Sequence, residues 1–268
     1  MKLQLEHLQL EGAPALRWRH ASGATVTVLL RGAQVISWVD AHGRECLYRS
    51  PLSPLHGAHP VRGGIPVVFP QFGTAGPLPR HGLVRTALWQ FVEPAPGSRP
   101  TAPLRLSWQH HADQHPDWPY ACTCVLQVQL DADTLTVTLE VHNQGPQALP
   151  FCAALHTYLR VPDTAQTQLW GLRPGLEPLS FHAALDQIHP DVPAAMCLHT
   201  PAHRVDIAQS GFHDTVVWNP GAHHGLGDLP AHGHQEFVCV EAAQVSPIQL
   251  RPGAHWSGSQ SLRSIPAA

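Results

Sequence analysis

Two acid–base side chains interrupt apolar, strand-like segments of this sequence. His156 lies within FCAALHTYLRV (151–161), and Glu241 lies within FVCVEAAQV (237–245). A charged carboxylate in an apolar segment is costly unless it is paired or faces a cavity. Together, an imidazole and a carboxylate could donate and accept protons in a reaction. The alternatives are a hydrogen-bonded core histidine and a glutamate located where its strand emerges into solvent.

The segment Pro60–Trp89, which reads PVRGGIPVVFPQFGTAGPLPRHGLVRTALW, places positive charge around an apolar centre. That centre, Ile65–Phe69, is bounded by a Gly-Gly pair and by prolines. This pattern is typical of a bent strand whose backbone lies close to a ligand or to another backbone segment. Basic side chains surround it, namely Arg62, Arg80, His81 and Arg85. A buried strand does not need this much positive charge, so the segment is predicted to form one wall of an anion-binding pocket.

Two further polar residues lie where they could contribute to the same pocket. Gln71 follows the apolar centre directly, and its amide could bond a ligand hydroxyl; the alternative is an ordinary glutamine at a strand end. Asp214 lies at the start of the strand-like segment FHDTVVWNP (212–220). For Arg80, the alternative to a role in the pocket is a solvated surface arginine. The sequence leaves these alternatives open.

Short strand patterns follow one another along the chain and would position these residues. ATVTVLL (24–30) and AQVISWV (33–39) flank an Arg-Gly turn, as in a β-hairpin. VLQVQL and LTVTLEV, within residues 121–143, alternate apolar and polar residues as half-buried antiparallel strands do. Another strand is predicted over residues 83–92. The chain therefore has more than ten predicted strands and hardly any amphipathic helix, which indicates an all-β fold.

Composition favours the same class of fold. The 268 residues include 27 prolines, about double the usual share of roughly 5%, and proline disfavours long helices. The charged residues make up 13% of the chain, and the formal net charge is −3 without basic runs, which argues against a nucleic-acid partner. No repeat or linker divides the sequence. Residues 1–268 are therefore predicted to form a single domain, a large antiparallel β-sandwich.

The sequence also predicts where the protein resides. No apolar run approaches the roughly 18 residues of a membrane span, and Glu6 and Glu11 lie where a signal peptide would be apolar. The six cysteines contain no CxxC pair, as expected for reduced, mostly buried thiols. A cytoplasmic protein without a membrane partner is expected.

Residues 221–235, GAHHGLGDLPAHGHQ, form a segment rich in glycine and histidine. Its four histidines and the following Glu236 could suggest a metal site, but their spacing matches no familiar ligand pattern. The segment is therefore predicted to be a flexible loop. Neither a metal nor another cofactor is expected.

Five motifs of the chain, in their order and spacing, resemble one protein family. They are RGGIPVVFPQFG, LPRHGLVR, LHTYLRV, DTVVWNP and FVCVEAAQV, and the resemblance extends over about Leu16–Leu262. The set is similar to the hexose-6-phosphate mutarotases of the aldose 1-epimerase, or galactose mutarotase-like, group. The resemblance implies an antiparallel β-supersandwich. It also implies an isomerase that interconverts the α and β anomers of a hexose 6-phosphate, with glucose 6-phosphate as the expected substrate.

The resemblance further implies roles for individual residues. Glu241 matches the base that takes the proton of the anomeric hydroxyl, and His156 matches the acid that protonates the ring oxygen. Glu241 is then expected ionised and His156 protonated, with the two groups facing one cavity about a sugar ring's width apart. Asp214 matches a substrate-binding aspartate. Arg62 and Arg85 match arginines that are associated with the substrate and its phosphate. His81 matches the histidine of an HG-x-x-R motif.

One departure from the family pattern leaves the preferred sugar open. After Trp218-Asn219-Pro220 the family often continues with an aromatic residue and a lysine, where this chain has the glycine- and histidine-rich segment 221–235. Two alternative functions remain: a mutarotase of unphosphorylated aldoses, and a non-catalytic carbohydrate-binding protein of the same fold. The expected partner is a small phosphosugar, and the expected state is a monomer, with a homodimer left open.

Overall fold

The computed structural model describes residues 4–94, 102–172, 175, 177–193 and 195–266. Within these ranges the chain forms β-strands and three single-turn 3-10 helices but no α-helix. The strands are β1 Gln4–Leu10, β2 Ala13–Arg19, β3 Thr25–Leu29, β4 Val35–Val39, β5 Val67–Val68, β6 Gln90–Phe91, β7 Leu104–His110, β8 Cys122–Leu130, β9 Thr134–Asn143, β10 Leu149–Leu155, β11 Tyr158–Arg160, β12 Gln168–Trp170, β13 Leu179–Ser180, β14 Leu185–Pro190, β15 Ala195–His199, β16 His203–Ser210, β17 Asp214–Asn219, β18 Phe237–Leu250 and β19 His255–Pro266. The 3-10 helices are Val84–Thr86, Thr164–Gln166 and Gly233–Gln235.

These strands form three sheets. The first is a four-stranded meander in the order β1-β2-β3-β4, and the second has the order β14-β17-β18-β10-β5, with β11 also pairing with β18. The third is a nine-stranded sheet in the order β13-β12-β15-β16-β19-β9-β8-β7-β6. All pairings between these strands are antiparallel. The predicted class, an all-β antiparallel sandwich, is confirmed.

The alternation read from the sequence determines which side chains enter the core. Strand β9 alternates between half-buried and buried residues along its whole length, because successive side chains of a strand point to opposite faces. In β18, Val238, Val240 and Ala242 belong to the main core. The intervening residues, including Glu241, are also buried but lie on the opposite face. That second face is the one that carries the site described below.

A change of register interrupts the pairing of β10 with β18. Phe151 pairs with Ile248, but Ala153 pairs with Gln244, so β18 has two more residues than β10 between these pairs. This is a β-bulge, which locally bends a strand and changes which residues oppose each other. Beyond the bulge the new register continues as Leu155 opposite Ala242.

The predicted strand over residues 83–92 is largely wrong. Its first half contains the 3-10 helix Val84–Thr86, and only Gln90–Phe91 form a strand. The backbone N–H groups of Leu83 and Val84 both donate to the carbonyl of Phe69, so the chain folds back over the apolar centre instead of extending. Strands β1, β2, β13, β14 and β15 were absent from the sequence-based prediction.

Gly64 holds two segments in close backbone contact, and we expect Gly64→Ala to destabilise the fold strongly. Its φ is +64°, and a Cβ added there would overlap the carbonyl oxygen of Val35. The strained backbone and the steric overlap together are expected to lower the free energy of unfolding by about 2–5 kcal/mol. Gly12→Ala is the matched control, because Gly12 has φ +79° with nothing near an added Cβ. Urea unfolding measures both; equal losses would show that the close contact at Gly64 is unimportant.

No helical segment within the described ranges has the length and apolar character needed to cross a membrane.

Candidate active site

The second sheet brings the two acid–base candidates together on one face. His156 directly follows β10, and Glu241 lies within β18. Since Leu155 pairs with Ala242 in this antiparallel register, the next positions, His156 and Glu241, lie opposite each other. Trp218 projects from the neighbouring strand β17 and packs edge-on against the His156 ring, with ring centroids 6.0 Å apart. The sheet itself therefore builds the centre of the site.

A cavity of about 850 Å³ covers this part of the sheet. Its volume falls within the roughly 300–1,000 Å³ of small-molecule sites. Charged and aromatic side chains dominate its wall: Arg62, Phe72, Arg80, His81, Arg85, His156, Tyr158, Asp186, Trp218, Asp228 and Glu241. Five of the seven predicted site residues are among them. The structure thus brings together His156, Glu241, Arg62, His81 and Arg85 at one cavity.

His156 and Glu241 are in direct contact. The Nδ1 atom of His156 lies 3.1 Å from Oε1 of Glu241, and their side chains are 11% and 3% exposed. The expected separation by a sugar ring's width is therefore wrong. Neighbouring strands lie about 4.8 Å apart, which leaves no room for a ring between two directly opposed residues. A ligand that contacts both groups would therefore lie across the pair on its cavity side.

Burial governs the protonation of this pair in the free protein. The pKa of His156 lies well below its usual value because of burial first, and then because of His81 and the nearby arginines. The pKa of Glu241 is raised by burial and by Asp186. Both shifts favour the uncharged forms of the two groups, in contrast to the expectation of a protonated His156 and an ionised Glu241, because burial penalises each charge. A neutral pair nevertheless holds as many protons as the ion pair.

Arg80 and Arg85 line the cavity as cations without carboxylate partners. No salt bridge within 4.0 Å joins either of them to a carboxylate among the described residues. The Nε atom of Arg85 is buried and has no hydrogen-bond partner in the part of the chain described. The pKa of Arg85 is lowered by burial and by the charges of Arg62 and Arg80, although Tyr158 opposes this effect. An anion in the cavity would relieve this repulsion.

His81 contributes a neutral imidazole beside the catalytic candidates. Burial, with the charges of Arg85 and Arg80, lowers its pKa to about 3. Its backbone adopts φ +67°, and its Nδ1 atom accepts a hydrogen bond of 3.3 Å from the N–H of Gly73. The His81 and His156 rings lie 5.7 Å apart between centroids. His81 therefore adds a hydrogen-bonding group, not a charge.

Gln71 and Asp214 do not line the cavity. The side-chain amide of Gln71 donates to the carbonyl of Leu78 and accepts from its N–H, both at 3.0 Å. Gln71 thus braces the turn that carries Arg80. Asp214 lies on the same strand face as Trp218, but its Oδ2 atom accepts a hydrogen bond from the N–H of Val245 at 2.9 Å. Its carboxylate ties β17 to β18.

Two aspartates of the cavity escaped the sequence analysis. Asp186 lies on the edge strand β14, opposite Trp218 of β17, and its charge acts on Glu241. Strand β14 is exposed at most of its positions, so no apolar alternation revealed it. Asp228 lies in the segment 221–235, which carries no strand pattern. Arg80 lines the cavity and is at the same time exposed to solvent, so it lies at the cavity mouth.

The glycine- and histidine-rich segment 221–235 is anchored at several points, whereas a flexible loop was predicted. The Nδ2 atom of Asn219 donates to the carbonyls of His234 and Phe237, both at 2.8 Å, and so joins the two ends of the segment. Leu229 is buried in an aromatic cluster that includes Tyr48. No cluster of three or more potential metal ligands occurs among the described residues.

The sequence of this chain is similar to the sequences of known proteins. Residues 14–180 match the family described as Aldose 1-epimerase. A relative from Cenchrus ciliaris is 28% identical over 281 residues, which cover 93% of this chain and 84% of its own. A relative from Escherichia coli K12 is 29% identical over 245 residues, which cover 82% of this chain and 80% of its own. Both bear the name "Putative glucose-6-phosphate 1-epimerase".

A solved structure shows the same fold. The crystal structure of "a putative mutarotase (YeaD)" from Salmonella typhimurium superimposes with a TM-score of 0.85. The two chains share 23% sequence identity, and the superposition covers 98% of this chain and 94% of the other.

Proposed function

This chain belongs to the aldose 1-epimerase family, and from that premise we propose that it interconverts the α and β anomers of a hexose 6-phosphate. The observation that carries the proposal is the contact of His156 with Glu241 in a cavity that also holds unpaired arginines. A non-catalytic sugar-binding protein needs neither an acid nor a base at that position. The activity is that of an isomerase, and D-glucose 6-phosphate is the proposed substrate.

The reaction proceeds by opening and closing of the sugar ring. One member of the His156–Glu241 pair takes the proton of the anomeric hydroxyl while the other gives a proton to the ring oxygen. The bond between C1 and the ring oxygen breaks, and the anomeric carbon becomes an aldehyde. Rotation about the C1–C2 bond and the reverse proton transfers close the ring with the other anomeric configuration. Acid and base catalysis typically contribute about 10²–10⁴-fold each.

We assign Glu241 as the base and His156 as the acid during ring opening. In the neutral pair the proton lies on Glu241, and its transfer from Oε1 of Glu241 to Nδ1 of His156, 3.1 Å away, produces the carboxylate base and the imidazolium acid. This transfer needs no proton from solvent, because the pair keeps the same number of protons. The roles of the two groups reverse when the ring closes.

The other cavity residues bind and orient the substrate. Arg80 and Arg85 bind the 6-phosphate, because guanidinium groups form paired, charge-assisted hydrogen bonds with phosphate oxygens. Asp186 accepts hydrogen bonds from sugar hydroxyls. Tyr158 and Trp218 present apolar ring faces and edges to the C–H groups of the sugar.

Anomer exchange followed by NMR tests the proposal directly. Exchange should be accelerated more for glucose 6-phosphate and galactose 6-phosphate than for the two free sugars. We expect kcat/KM to differ by about 10–100-fold, as for one or two charge-assisted contacts. Equal acceleration of all four sugars would indicate a mutarotase of unphosphorylated aldoses. If no sugar exchanges faster, the protein is a binding protein, and the proposal fails.

A further inference from the structure

Asp228 and Arg62 both line the cavity, and together they form the shortest ion pair of its wall. The Oδ1 atom of Asp228 lies 2.7 Å from Nε of Arg62, and the two side chains are 37% and 19% exposed. A charge-assisted hydrogen bond of this length in a partly buried setting is strong. The pKa of Arg62 is raised: burial opposes its charge, but Tyr158 and the bond to Asp228 outweigh that effect.

The backbone holds this pair in place. The hydroxyl of Ser50 donates to the carbonyl of Asp228 at 2.6 Å, and the N–H of Ser50 donates to the carbonyl of Arg62 at 3.0 Å. The next residue, Leu229, is buried in the aromatic cluster around Tyr48. Ser50 therefore binds the backbone of both Asp228 and Arg62. Together with the burial of Leu229, these hydrogen bonds keep the Asp228 carboxylate beside Arg62.

The three arginines of the cavity are consequently not equivalent. Arg62 is balanced by Asp228, whereas Arg80 and Arg85 have no carboxylate partner in the described part of the chain. A phosphate monoester carries close to two negative charges near neutral pH. Asp186, the other aspartate of the cavity wall, acts on Glu241 and is not among the charges that act on Arg62 or Arg85. Around the arginines, three positive charges less that of Asp228 leave two net positive charges, which match that dianion.

We propose that Asp228 limits anion affinity at this site by neutralising Arg62, so that the phosphate subsite carries two net positive charges, supplied by Arg80 and Arg85, and more highly charged anions gain no further advantage. This inference rests on the proposed function, since it concerns recognition of the 6-phosphate. Arg62 thus serves as an anchored residue of the cavity wall. Its Nη1 atom lies 3.5 Å from the Tyr158 hydroxyl, and the Tyr158 ring stacks on the His156 ring.

Asp228→Asn separates charge from geometry. The amide oxygen of asparagine can still accept the hydrogen bond from Nε of Arg62, but the negative charge is lost. The subsite then carries one more net positive charge. We expect KM for glucose 6-phosphate to fall about 3–10-fold and the ratio of kcat/KM for glucose 6-phosphate over glucose to rise by a similar factor. Sulfate and pyrophosphate should also bind more tightly, pyrophosphate most of all.

Two control variants make the test specific. Asp133→Asn removes the same charge from a surface pair with Arg263, 3.0 Å apart, and should leave all of these values unchanged. Asp228→Ala removes both the charge and the hydrogen bond to Arg62. If Asp228 served only to position Arg62 for phosphate, Asp228→Ala would raise KM for the phosphosugar, and Asp228→Asn, which keeps the hydrogen bond to Arg62, would leave it unchanged. That result, or equal changes for glucose and glucose 6-phosphate, would overturn the inference.

Anion binding by titration calorimetry keeps this inference distinguishable from the proposed function. Sulfate affinity is measured on the wild-type protein and on Asp228→Asn without any turnover. An increase of about 3–10-fold in affinity supports the role of Asp228 even if no sugar is turned over. An unchanged or weaker affinity rejects that role even if the protein proves to be a phosphosugar mutarotase.

Discussion

Glu241→Gln should slow the anomer exchange of glucose 6-phosphate by about 10²–10⁴-fold while the fold persists. The glutamine side chain has nearly the same shape, so the buried position, 3% exposed, stays filled. It cannot take up or release a proton as a carboxyl group does. His156→Asn should cause a loss of similar size, because it removes the other proton-transfer group. NMR exchange spectroscopy measures the rate, and circular dichroism verifies the fold.

Asp214→Asn is the matched control for this prediction. It makes the same change, from carboxylate to amide, on a neighbouring strand of the same sheet. Since the Asp214 carboxylate bonds the N–H of Val245 outside the cavity, exchange should stay within a few-fold of wild type. A large loss in Asp214→Asn would restore the substrate-binding role that the resemblance implied. A rate near wild type in Glu241→Gln or His156→Asn would remove that residue from the mechanism.

Arg85→Ala should produce the second largest effect, and it should depend on the phosphate. Loss of one charge-assisted hydrogen bond typically costs about 1.5–3 kcal/mol, which corresponds to a decrease of roughly 10–100-fold in kcat/KM for glucose 6-phosphate. Free glucose has no phosphate to bind and should be affected much less. Arg62→Ala should have a smaller phosphate-dependent effect, because Asp228 already balances that charge.

Exchange assays with both sugars, for both arginine variants, measure this difference. Arg263→Ala removes an arginine from a surface pair far from the cavity wall and serves as the control. If Arg85→Ala lowers kcat/KM equally for glucose and glucose 6-phosphate, Arg85 contacts the ring or supports the scaffold. The phosphate subsite would then have to be assigned to other residues.

The sequence was most informative where an ionisable residue interrupts an apolar alternation. His156 and Glu241 were recognisable for that reason, and the β-strand alternation around them also predicted the class of fold. Their direct contact was not predictable, because it depends on the pairing register of two strands that are separated in the chain by residues 156–236. The resemblance to the family, confirmed by the comparisons, supplied residue types but not distances.

Side-chain direction limited the other site assignments. Gln71 and Asp214 occupy plausible positions in the sequence, but nearby backbone groups bind their side chains and hold them outside the cavity. Asp186 was missed for the opposite reason. It reaches the cavity from an exposed edge strand, whose polar composition resembles that of a loop. The three-dimensional path of the edge strand, and not the local pattern, brings Asp186 to the site.

The β-bulge between β10 and β18 sets the alignment of the acid with the base. If all residues of β18 paired without a bulge, the register that pairs Phe151 with Ile248 would continue and place His156 opposite Ala243. Glu241 would then oppose Tyr158, displaced by two residues, or about 7 Å, along the strand. The bulge absorbs the two extra residues of β18 and prevents this displacement. A deletion of two residues within the bulge would therefore leave Ala153 opposite Gln244 and His156 opposite Glu241, whereas a deletion of one residue between Gln244 and Glu241 would shift the base relative to the acid.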